Sequence, residues 1–186
     1  MIPVGEKREP RFSNRLEKVR FALFLTGRKY DGLGNLCDWW DPSDVETFKS
    51  KTVLMAEQVD MYKFIDPDGN VHRMNSELTM GENLADLGGI NLALSGMTNY
   101  LKNQNILLTS NADLLKSLQR VFFKSWANIW KQNSKLDARI NLLSVDPHAP
   151  TDFRGNLVAN NDAFYEAFGI TDGKMWIPTD KRVKVW

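Results

Sequence analysis

Two carboxylates four residues apart, Glu82 and Asp86, occur in the run Gly81-Glu82-Asn83-Leu84-Ala85-Asp86. On a helix that spacing projects both from one face. Like charges so placed repel by a few tenths of a kcal/mol unless a positive group lies beside them. The apolar neighbours Leu78, Leu84 and Leu87 draw the pair towards the interior and raise that cost. Two readings of Glu82 and Asp86 follow: solvated helix carboxylates, or a metal ligand with a second carboxylate that orients another ligand. His148 lies in Asp146-Pro147-His148-Ala149-Pro150, where the prolines restrict the backbone and aim the imidazole. An imidazole there can donate to a developing negative charge, or it can simply be solvated. Arg154, six residues on, carries the planar fork that clamps a carboxylate or carbonyl in two places. Its bland alternative is a surface arginine or an ion pair with Asp152.

The elements that must position these groups are helical. Ser43 and Glu46 form a capping box, and Val45, Phe48, Thr52, Met55 and Val59 then recur at three- and four-residue steps. Asp66-Pro67-Asp68-Gly69 is a turn. A second helix is predicted over about Thr79–Lys102, with Leu84, Leu87, Asn91, Leu94 and Thr98 along one side. It carries Gly81, Gly88, Gly89 and Gly96, each costing up to ~1 kcal/mol relative to Ala, which implies close approach by another element. A third helix, about Asp113–Gln132, presents Leu114, Leu118, Val121, Phe122, Ser125, Trp126 and Ile129 as a core-facing stripe. Further expectations are a short helix near Asn161–Phe168, a turn at Asp172-Gly173, and a basic, β-prone tail over Lys181–Trp186. No internal repeat is visible. The fold class is mainly α, in one domain.

With 186 residues, 42% of them apolar and 25% charged, the chain has globular composition. A net charge of +1 gives no whole-domain attraction to nucleic acid or acidic lipid. The single cysteine, Cys37, excludes an internal disulfide and is read as an inert small residue. Two histidines do not make a His-rich metal cluster. No apolar run approaches the roughly 20 residues that span a bilayer. Phe21–Leu25 is shorter than the roughly 7–15 apolar residues of a secretory signal, so the chain as written is expected in the cytoplasm. Residues 1–20 hold six basic and three acidic residues, punctuated by Pro3, Gly5 and Pro10. They read as an irregular basic arm leading into a helix near Asn14–Leu25. That arm is either a solvated terminus or an interaction segment.

Several segments taken in order carry a resemblance. Gly27-Arg28-Lys29-Tyr30-Asp31, Gly34-Asn35-Leu36 and Asp38-Trp39-Trp40 precede Glu77-Leu78-Thr79-Met80-Gly81-Glu82-Asn83-Leu84-Ala85-Asp86-Leu87-Gly88-Gly89. Phe122-Phe123-Lys124-Ser125-Trp126-Ala127, the Asp146–Pro150 loop, Phe153-Arg154, Phe164-Tyr165-Glu166-Ala167-Phe168 and Val185-Trp186 follow. From about Gly27 to Trp186 the chain resembles the C-terminal catalytic portion of the neprilysin-like (M13) zinc metallopeptidases. The resemblance implies a zincin-like, mainly α fold with few short strands. Residues 1–26 form a divergent basic arm or helix, and residues 27–186 an M13-type peptidase C-terminal domain. It also implies that Glu82 is a zinc ligand, that Asp86 orients a zinc-bound histidine, that His148 stabilises the tetrahedral oxyanion and that Arg154 holds the substrate backbone. Zinc and a peptide substrate or ligand are the implied cofactor and partner.

The chain departs from the family where the family carries its His-Glu-x-x-His helix, whose histidines share one metal while its glutamate acts as general base. The matching stretch, Glu17–Thr26, contains no histidine, and His72 and His148 are too far apart in sequence to form such a pair. The family's Asn-Ala-Tyr-Tyr type strand and large helical N-terminal domain have no counterpart, and Phe153–Asn160 is one residue short of the pattern. Lys131 and Lys184 stand where secreted animal members carry cysteine, as in a disulfide-free microbial-type member. Complete zinc sites in peptides bind with about 10–16 kcal/mol, which one carboxylate cannot approach. A fragment or degenerate copy of a zinc endopeptidase, inactive as this chain, is therefore expected, or alternatively a non-catalytic peptide-binding pseudoenzyme. Six tryptophans and ten phenylalanines further predict exposed apolar faces and self-association.

Overall fold

A computed structural model describes residues 29–106 and 111–184. The basic arm, the helix expected near Asn14–Leu25, the Glu17–Thr26 stretch and the terminal Val185-Trp186 lie outside the described residues. Helix α1, Pro42–Met61, begins one residue earlier than its expected capping box. Asp41 is the cap: its carboxylate accepts from the Ser43 backbone N–H at 2.9 Å and the Ser43 hydroxyl at 2.7 Å. Pro42 then takes the first helical position, where its missing N–H costs nothing. The expected stripe holds: Met55 and Val59 are buried, and Phe48 packs against the core.

The Asp66–Gly69 turn closes a hairpin of two-residue strands, β1 (Phe64–Ile65) and β2 (Val71–His72), paired antiparallel. Gly69 supplies the positive φ, +87°, that the turn needs. Helix α2, Ser76–Asn103, covers the whole predicted second helix. Asn75 caps it, accepting from the backbone N–H groups of Glu77 and Leu78. Leu84, Leu87 and Ile90 form its buried face against α1. At Gly89 and Gly96 the expected close approach is not found, since an added Cβ would meet no described atom within 4 Å, while Gly88 is buried.

Helix α3, Ala112–Ile129, corrects the stripe read from the sequence. Gln119 and Phe123 are its buried residues, with Phe122 and Trp126 packed partly against the core, while Leu114, Val121 and Ile129 are exposed. Helix α4, Leu136–Val145, was not expected. The Asp146–Pro150 loop leads into α5, Thr151–Asn156, and a 3₁₀ turn, Leu157–Asn160. Helix α6, Asp162–Phe168, is capped by Asn161 and ends at Gly169 in the left-handed region, φ +66°. It packs on α3 through Phe123, Phe164 and Phe168. Thr179–Lys181 form a 3₁₀ turn, and the described part of the expected β-prone tail beyond it, residues 182–184, lies in no strand, with Val183 fully buried. Among the described residues no helix is long and apolar enough to cross a membrane. Cys37 is exposed.

Candidate functional site

The α2 cap at Asn75 sets the phase of everything on that helix. With Asn83, Leu84 and Leu87 turned inward, Glu82 and Asp86 stand one turn apart beside the buried stripe. Their environments differ: the Glu82 side chain is 40% exposed and that of Asp86 13%. The difference tracks their partners.

Asp86 is paired with Arg154. Nε of Arg154 donates to Oδ2 at 2.6 Å and a terminal nitrogen donates to Oδ1 at 2.8 Å, a two-point clamp between side chains 68 positions apart. The guanidinium also stacks 3.9 Å above the Trp130 ring. Trp126 Nε1 donates to the Arg154 carbonyl at 2.9 Å and so ties down the backbone that carries it. Asp152, the partner named from sequence alone, is engaged elsewhere: it accepts from Tyr62 Oη at 2.9 Å and from Arg139 at 3.0 Å.

Glu82 meets His148 instead, Oε2 to Nε2, at 3.5 Å. The imidazole is oriented by Asp146, which no sequence argument had singled out. Oδ1 of Asp146 accepts from the His148 backbone N–H at 2.8 Å and lies 2.8 Å from Nδ1. The backbone bond from His148 above all, with the bond from the imidazole, holds the Asp146 carboxyl below its usual range. An ionised carboxylate only accepts, so Nδ1 carries a ring proton towards Asp146 and Nε2 is the end turned towards Glu82. When the ring is doubly protonated, Nε2 can donate to a negative oxygen. The Asp-Pro-His spacing was the available signal for Asp146.

His148, Asp146 and Arg154 line one wall of an open cleft of about 990 Å3, and Trp130 and Phe123 contribute apolar surface to it. Four sequence-predicted residues, Glu82, Asp86, His148 and Arg154, are thus brought together as two coupled pairs. A metal is another matter. Among the described residues no group of three or more His, Cys, Asp or Glu side chains could hold one. Glu82 with one imidazole at its side does not amount to a zinc site.

The sequence profile described as Peptidase family M13 matches residues 19–183. The chain belongs to this family. Its M13 relatives include Neprilysin-1 of Caenorhabditis elegans, 36% identical over the whole of this chain and 26% of the relative. Endothelin-converting enzyme 1 of Bos taurus is 35% identical, over 86% of this chain and 20% of that protein. Among solved structures, the zinc metalloprotease Zmp1 of Mycobacterium tuberculosis, in complex with an inhibitor, superposes with a TM-score of 0.75 at 32% identity. That match covers 91% of this chain and 26% of the other. The mainly α, zincin-like M13 architecture read from the sequence is the one observed. The chain spans about a quarter of the length of the curated relatives it matches.

Proposed function

We propose that this chain forms one wall of an M13-type peptide site: Glu82 is its metal carboxylate, and His148, braced by Asp146, is its donor to a carbonyl oxygen turning negative. Arg154, fixed by Asp86 and Trp130, faces the cleft as the group that holds substrate backbone. The same reading holds that these 186 residues by themselves neither retain zinc nor hydrolyse peptides. One observation carries both halves. His148 and Arg154 line the cleft and are bound to Glu82 and Asp86 of α2, yet the only histidines in the chain are His72 and His148. His72 is bound to Asp66 at 2.9 Å in the hairpin.

The missing groups are the two imidazoles and the general base, and without them there is nothing to hold and deprotonate the attacking water. A second reading, peptide binding without cleavage, is favoured by the cleft itself, because its walls are held by protein–protein bonds that need no metal. The test is zinc content and peptide turnover of the purified chain, with Glu82→Ala as control. Substoichiometric zinc, unchanged in the variant, and no turnover are expected. One tightly held zinc per chain, lost in Glu82→Ala and accompanied by peptide cleavage, would overturn the inactive reading. Saturable peptide binding that survives chelator supports the pseudoenzyme.

A further inference from the structure

The charged side chains around the cleft do not cancel. Arg154 is neutralised by Asp86, Arg139 by Asp152, and His148 is held by Asp146. Two cations on the same wall remain, Lys124 on α3 and Lys131 just past its end, both exposed and both lining the cleft. Among the described residues neither has a carboxylate partner. Two helical turns separate them, about 10 Å along the helix axis, with the Ala127 and Trp130 surface between.

We infer that this cleft selects peptides carrying acidic side chains, with Lys124 and Lys131 as the specificity-determining residues. This rests on the peptide-site reading above and adds the substrate class to it. An extended peptide spaces side chains on one face by about 6.6–6.8 Å. Flexible lysine stems reach two carboxylates at i and i+2 from positions about 10 Å apart, while the side chain between them points to the opposite face of the peptide. The lysines have no competing intramolecular partner to displace, so a ligand carboxylate loses only water and counterions to reach them.

The probes are three fluorescein-labelled heptapeptides that share a central leucine and carry two flanking glutamates, two glutamines or two lysines. Their affinities for the full chain are read by fluorescence anisotropy. Two exposed ion pairs give roughly a tenfold preference for the glutamate peptide over the glutamine one. The lysine peptide is weakest of the three. The preference collapses near 1 M salt, where the screening length is only about 3 Å. In Lys124→Gln/Lys131→Gln the glutamate peptide drops to the affinity of the glutamine peptide, which itself does not change. In Lys124→Glu/Lys131→Glu the order inverts. Equal binding of glutamate and glutamine peptides overturns the inference and leaves the peptide site standing. So does a preference that persists in the double glutamine variant. Failure of all three to bind overturns both readings.

Discussion

Replacing Asp86 and Arg154 singly and then together asks whether they act as one unit. Both side chains are largely buried, with 13% and 15% of their surface exposed. Removing one partner from a fully buried pair costs about 3–5 kcal/mol, chiefly because the other charge is left without compensation. The residual exposure lets water relieve part of that, so Asp86→Ala is expected to cost about 2–3 kcal/mol. Arg154→Ala strands Asp86 in the same way and also removes the stack 3.9 Å above Trp130. That stack adds about 1 kcal/mol, for a total of about 3–4 kcal/mol. The double variant leaves no stranded charge, so it is expected to cost about 2–3 kcal/mol, from the lost packing and stack, less than Arg154→Ala alone and well below the sum of the singles. The coupling of about 3 kcal/mol is far above the scatter of about 0.3–0.5 kcal/mol for independent sites. Urea unfolding followed by far-UV circular dichroism measures it, provided the slope is unchanged among variants. Arg154→Lys should fall nearer to Arg154→Ala than to the parent, because an ammonium cannot make the two-point clamp or the flat stack. Additive single and double variants would refute the coupling. The claim that Asp86 exists to hold Arg154 against the cleft would go with it.

Tyr62 offers an optical test. Burial above all pushes its phenol up, to about 12, against the hydrogen bond from Arg139. A raised folded pKa contributes stability that is complete below the ordinary tyrosine range and lost as pH rises from about 10 to about 12. Tyrosinate absorbance should show a late-titrating component that Tyr62→Phe removes; full titration of the parent by about pH 11 would contradict it. Asp66 gives the acid counterpart, held down at about 2, first by the His72 side chain and then by Asn70. Its contribution is complete above about pH 4 and lost as pH falls towards about 2. Urea unfolding across that window should show the parent losing stability faster than Asp66→Asn, and parallel acid limbs would count against the pairing. Exposed Leu33, Leu36, Met61, Val121 and Ile129 predict concentration-dependent self-association. A monodisperse monomer in light scattering at high concentration would refute that prediction.

What was legible in the sequence was local. Helix α2 announces itself by its leucine spacing, and its observed span, Ser76–Asn103, contains the predicted one because the Asn75 cap lies only a few residues upstream of the first periodic position. The Asp172-Gly173 turn and the Asn161 start of α6 were readable for the same reason: a single residue with special backbone chemistry sets each. Helix α4 went unread because its start carries no capping bond, Lys135 supplying only backbone. Two-residue strands are too short to show alternation. The α3 stripe failed differently. Periodicity locates apolar faces, but Phe123 faces Phe164 of α6, and only the tertiary contact reveals that this side, rather than the one with Val121 and Ile129, is buried. The site divides along the same line. Asp146 and His148 are two positions apart and were within reach of a local argument. The Asp86–Arg154 clamp joins positions far apart, and neither residue type nor spacing distinguishes Asp86 from Asp152 as the partner of that arginine. Only the fold decides it: α5 starts after the rigid Pro150, which places Arg154 beside α2 and turns Asp152 towards Tyr62 at the end of α1. The chemistry of each side chain was therefore readable from its type, while its role depends on which neighbour it is already bound to.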